Sequence, residues 1–121
     1  TWVNHPSLPD HPDHAVAKKL MPNGQGSMIA FGIKGGREAG QAFINAMKLT
    51  SHLANVGDAK SLVIHPASTT HSQMDKKSLE LAGLTDDMIR FSVGLEDMED
   101  IINDFDNGFR ASQKPRLVAS R

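Results

Sequence analysis

In Met88–Gly94, MIRFSVG, apolar residues alternate, so that Ile89, Phe91 and Val93 share one face of an extended chain and Met88, Arg90 and Ser92 share the other. Arg90 therefore stands in mid-strand on the less apolar face. A guanidinium held there is a planar, two-pronged donor, the geometry that grips a carboxylate or a phosphate through paired charged hydrogen bonds. The competing reading is structural: an arginine paired with a neighbouring acid, or one lying on a wet sheet face.

The histidines His5, His11, His14, His52, His65 and His71 are further candidates. His11 and His14 are three apart near a helix start, a spacing that can offer two imidazoles to one metal. No third ligand stands in register and H-E-x-x-H is absent, so no metal site is predicted. His65 precedes Pro66 where a strand must end, and His71 follows Thr70; either can orient a turn without catalytic duty. The hydroxyls Ser68, Thr69, Thr70 and Ser72 supply a nucleophile only if a base and an orienting acid converge on one of them. The G-x-S-x-G elbow is missing, and hydroxyls that satisfy loop amides explain the run more simply. Gly32-Ile33-Lys34-Gly35-Gly36 matches neither glycine-rich phosphate pattern and reads as a strand-to-helix turn that needs positive φ.

These side chains depend on a small set of elements. Ser27–Ile33 alternates as a strand, Lys60–Ile64 reads as a second and Met88–Val93 as a third. Ala39, Ala42, Phe43, Ala46 and Met47 recur at helical spacing between Glu38 and Leu49. A short helix over MDKKSLELAGL ends at Gly83. In the last helix Met98, Ile101, Ile102, Phe105 and Phe109 form the expected buried stripe, and Glu96, Asp97, Glu99 and Asp100 complement its positive N-terminal end. Near the start, Pro6, Pro9 and Pro12 mark a wrapping segment; Asp10 or His11 is the expected cap of a helix with Pro12 at its first position, running to about Met21. The expected organisation is a linker over residues 1–14, an α+β domain over 15–110 and a fraying tail over 111–121. With three convincing strands, the expected architecture is a small mixed or antiparallel sheet covered on one face by helices.

The chain's 121 residues suit one domain. Its 13 basic and 14 acidic residues leave a net charge of -1, so no global field draws it to nucleic acid or anionic lipid. Cysteine is absent, which removes disulfides, thiolate zinc sites and a cysteine nucleophile together and fits a cytoplasmic location. No apolar run approaches a membrane span, and no basic-then-apolar leader opens the chain. A first residue that is threonine points to a piece of a longer protein.

Several stretches in order, TWVNHPSL, FGIKGG, HLANVGDAKSLVIHPASTTHSQ, AGLTDDMIRFSVGLED and the closing IINDF helix, resemble the C-terminal domain of the Cys/Met-metabolism enzymes that use pyridoxal phosphate, a fold-type I family. The wording of ANVGD and SLVIHPASTTHSQ is most similar to the O-acetylhomoserine sulfhydrylase branch. The resemblance implies a cofactor held by a larger N-terminal domain that also carries the Schiff-base lysine. Lys34, Lys60 and Lys76 do not match that lysine's motif, so the chain alone is expected to be inactive. Arg90 matches the arginine that binds the substrate's α-carboxylate; Asn55 falls where relatives place a serine or asparagine approaching the same group; Thr70 matches a threonine near that arginine. The implied reaction exchanges the acetate of O-acetylhomoserine for sulfide or a small thiol, with pyridoxal phosphate as electron sink, in a homotetrameric parent. Methionine γ-lyase and cystathionine-forming enzymes share the arginine motif, and a non-catalytic carboxylate-binding module is the alternative outside the family. HPSLPDH in the opening segment departs from the family's usual wording.

Overall fold

The computed structural model describes residues 1–113. Four strands, β1 (Trp2–Asn4), β2 (Met28–Gly32), β3 (Leu62–Ile64) and β4 (Met88–Ser92), form one sheet in the order β1-β2-β4-β3. Every strand pair is antiparallel, which settles the expected mixed-or-antiparallel sheet. The helices are α1 (His14–Leu20), α2 (Gly36–Ala46), α3 (Lys76–Leu81) and α4 (Met98–Ser112). A short 3-10 turn, Pro66–Ser68, follows β3.

The register places Arg90 opposite Ala30 on one side and Ile64 on the other. Its neighbours along β4, Ile89 and Phe91, point to the opposite face and are fully buried beneath α2 and α4. All five phenylalanines, Phe31, Phe43, Phe91, Phe105 and Phe109, meet there. Phe91 and Phe105 cross edge to face with centroids 4.7 Å apart, an arrangement that adds about 1 kcal/mol beyond the area it buries. Helix α4 comes this close because Gly108 has no Cβ: one there would stand 2.7 Å from the Phe43 ring.

The stripe expected on α4 is rotated. Met98 and Ile102 are exposed, whereas Ile101, Asp104 and Gly108 face inward. A charged residue sits on the buried face because it has a specific duty. Asp104 accepts the amides of Lys48 (2.7 Å), Leu49 (3.0 Å) and Thr50 (3.2 Å), backbone donors in the segment just beyond α2 that need an acceptor.

The ends of the other elements follow local chemistry. Asp75 caps α3 by accepting the Ser78 amide, and the α3 C-terminus closes with Gly83 at φ +72°, its amide on the Glu80 carbonyl and that of Leu84 on Leu79. Gly35 and Gly36 have φ of +105° and +64°, the positive values expected of the β2-to-α2 turn. Helix α1 begins at His14 rather than Pro12, because Pro12 lies in a chain of turns in which the Asp13 amide donates to the His11 ring. The opening segment is also more than a wrap. Trp2–Asn4 pairs with β2, while the Thr1 hydroxyl and Trp2 indole donate to Asp87 across Gly32, where a Cβ would fall 2.2 Å from the indole nitrogen. Helix α4 continues through Ala111 and Ser112; the rest of the expected tail lies outside the described residues.

Candidate functional site

Strand β3 is the common reference for the three predicted site residues. Arg90 lies beside it, across the β3–β4 ladder. Asn55 lies on the loop that precedes it; this loop is fixed by a parallel bridge from Ser51 to Leu62, with the amides of Ser51 and Val63 each donating at 3.0 Å. Thr70 lies on the loop that leaves Ile64 through Pro66–Ser68.

Arg90 is half-buried, and among the described residues its side chain has no hydrogen bond or ion pair. Its cross-strand neighbours Ala30 and Ile64 are apolar and offer no carboxylate. Charged groups taken partly out of water normally acquire partners, so an unpaired guanidinium on a rigid strand is poised for an incoming anion. Two residues on, Ser92 is 2% exposed and its hydroxyl has no partner.

The structure holds the segments around β4 with two carboxylates, Glu96 and Asp87. Glu96, expected to complement the helix dipole, accepts both the amide and the hydroxyl of Ser61 at 2.7 Å, and the same hydroxyl accepts the Gly94 amide. Burial alone raises the Glu96 pKa, but the Ser61 bonds, its own amide and the Lys60 charge outweigh it and hold the carboxyl below its ordinary range. Asp87 behaves alike: burial raises its pKa, and hydrogen bonds from Thr85, Thr1 and Trp2 bring the net value down. Both therefore stay ionised at neutral pH, pinning the two ends of the strand that bears Arg90.

Asn55 is exposed; its side-chain oxygen accepts the Val56 amide at 2.8 Å and its amide nitrogen reaches Asp58 at 3.5 Å. Thr70 is exposed, and its hydroxyl meets the His71 ring at 2.8 Å. No hydrogen bond joins Arg90, Asn55 and Thr70 to one another among the described residues. Thr70 does line an open groove of about 730 Å³, together with Ser68, Thr69, Leu53, Ala54 and the α2 side chains Gln41 and Asn45; Arg90 lies outside that lining.

Of the remaining histidines, His52 is exposed and lines the groove, while others have hydrogen-bond partners. The His14 ring meets the Pro6 carbonyl at 2.9 Å and His5 bridges Ser7 and the Gly26 carbonyl. Among the described residues no group of His, Asp and Glu is arranged to hold a metal ion, and no helix is long and apolar enough to cross a membrane. All seven described lysines are exposed, so none occupies the enclosed, partly apolar setting in which a Schiff base with pyridoxal phosphate is protected.

An antiparallel α+β domain with an unpaired strand arginine in an R-x-S-V-G setting defines the class. The profile of the Cys/Met metabolism PLP-dependent enzymes matches residues 1–110, and the chain belongs to this pyridoxal-phosphate-dependent family. It is 53% identical over 100 residues to O-acetyl-L-homoserine sulfhydrylase 1 of Thermus thermophilus, covering 83% of this chain and 24% of that protein. It is 49% identical over 106 residues to L-methionine gamma-lyase of Fusobacterium nucleatum subsp. polymorphum, covering 88% and 27%. A Campylobacter jejuni structure described as an O-acetylhomoserine (thiol)-lyase, with N'-pyridoxyl-lysine-5'-monophosphate at position 205, superposes with a TM-score of 0.81 at 38% identity, covering 91% of this chain and 26% of that one. The chain thus spans about a quarter of the length of these relatives.

Proposed function

We propose that this chain is the substrate-facing, C-terminal part of a pyridoxal-phosphate-dependent sulfhydrylase that converts O-acetylhomoserine and sulfide, or a small thiol, to homocysteine or a thioether amino acid and acetate. The observation that carries the reading is Arg90, half-buried in mid-strand, with apolar cross-strand neighbours and no acid partner among the described residues. Its role is orientation. A two-pronged grip on the α-carboxylate fixes the amino acid so that its reacting carbons meet the chemistry at one angle, converting binding energy into alignment. Asn55 and Thr70, on the loops either side of β3, are the proposed additional contacts to the same end of the substrate.

Pyridoxal phosphate and the lysine that carries it belong, in this reading, to the remainder of the parent chain. The parent is proposed to be a cytoplasmic homotetramer. The isolated 121-residue chain is then expected to show no pyridoxal absorbance and no elimination activity. Identity to a gamma-lyase at 49% favours one second reading, a methionine-cleaving parent. Arg90 has the same task there, because both substrates present an α-carboxylate. Assay of the full-length parent decides between them: homocysteine formed from O-acetylhomoserine and sulfide supports the sulfhydrylase, methionine cleavage without that reaction supports the lyase, and neither activity refutes both.

A further inference from the structure

We propose that His65 is a positioning residue that sets the hydroxyl-bearing rim Ser68–Thr70 relative to the strand carrying Arg90, an inference that rests on the substrate-facing reading above. His65 is fully buried at the end of β3. Its Nε2 donates to the Asp86 carbonyl at 2.6 Å; a carbonyl oxygen only accepts, so Nε2 is assigned the proton and Nδ1 accepts from the Ser68 hydroxyl at 2.7 Å. The His65 carbonyl takes the Thr69 hydroxyl at 2.8 Å and the Ser68 amide at 3.1 Å. One residue thus ties the rim, through side chain and backbone, to the segment that leads directly into β4.

Helix α2 makes this clamp rigid from behind. A Cβ on Gly40 would stand 2.7 Å from the His65 ring, so glycine is what lets the imidazole seat against the helix. Three residues along from Arg37 on α2, that glycine shares its helix with a guanidinium that also donates to the Ala67 carbonyl and lies 3.9 Å from Asp86. Asp86 and the turn after β3 are therefore held twice. Both ring nitrogens are used, and their partners join the groove rim to the entry of β4. His65 itself is fully buried, so its effect on substrate passes through Ser68, Thr69 and Thr70.

The test uses the full-length, cofactor-loaded parent with O-acetylhomoserine and sulfide. For His65→Ala, KM for O-acetylhomoserine is expected to rise about five- to tenfold with kcat changed about twofold or less. His65→Gln restores a donor toward Asp86 and is expected to recover part of that loss. Asp75→Ala, which removes the α3 cap, is expected to lower the melting temperature and leave KM alone. If His65→Ala does not fold, Ser68→Ala carries the same expectation for KM. A folded His65 or Ser68 variant with unchanged KM and only a lower melting temperature overturns the inference while leaving the proposed reaction intact. A wild-type parent that turns over neither O-acetylhomoserine nor methionine removes the reading and this inference together.

Discussion

Asp104 on α4 accepts both the backbone amide of Thr50, at 3.2 Å, and its hydroxyl, at 3.4 Å, across 54 positions of sequence. The contact fixes where α2 hands over to the loop that carries Asn55. Asp104→Ala leaves the amides of Lys48, Leu49 and Thr50 without their acceptor, and a loss of about 3 kcal/mol in urea unfolding is expected. Asp104→Asn keeps one acceptor oxygen and should fall between. Equal stability of all three proteins would show that the loop finds other partners.

The rotated face of α4 gives a paired prediction. Ile101 is 5% exposed and Ile102 is 54% exposed. Ile101→Ala is expected to cost about 2–4 kcal/mol in the chain, and Ile102→Ala about 0.5 kcal/mol or less. Comparable large losses at both positions would restore the stripe expected from sequence.

That stripe shows where legibility ended. The sheet, the main helices and the position of Arg90 follow from alternation and helical spacing, which are local signals. Asp104 was the clue to the true face of α4: it stands three after Ile101 and four before Gly108, and its buried carboxylate has meaning only once the α2 terminus is beside it. Strand β1 escaped notice because three residues carry no period, and its pairing depends on Asp87, far along the chain. Glu96 looked like one of several acids compensating a dipole, and only the fold brings Ser61 to it. Asn55 and Thr70 were legible through family resemblance alone, since the loops that hold them have no spacing rule.

Stability should depend on pH through Asp87 and Glu96. Each has a folded pKa below its ordinary value, so each contributes stability that is fully present above the ordinary carboxylate range and is lost as pH falls through the depressed folded value. Unfolding free energy measured from neutral pH into the acid range should therefore decline, and Asp87→Asn with Glu96→Gln should flatten the decline. A slope untouched by the two substitutions would assign the acid loss to other groups.

Gly40 tests the packing behind the rim. Gly40→Ala places a methyl 2.7 Å from the His65 ring and is expected to cost about 1–3 kcal/mol through displacement of the imidazole. In a double substitution with His65→Ala the costs should not add, because the ring that clashes is gone. Additive losses would mean that Gly40 is needed for something other than His65.

The central claim is that Arg90 grips the substrate's α-carboxylate. The most direct measurement is kcat/KM for O-acetylhomoserine in the full-length parent carrying Arg90→Ala, alongside its melting temperature. Loss of a charged, two-pronged contact should lower kcat/KM by an amount equivalent to about 2–4 kcal/mol, while an arginine without an internal partner leaves the melting temperature nearly unchanged. Unaltered kcat/KM, or a large loss of stability in place of a kinetic defect, would contradict the account.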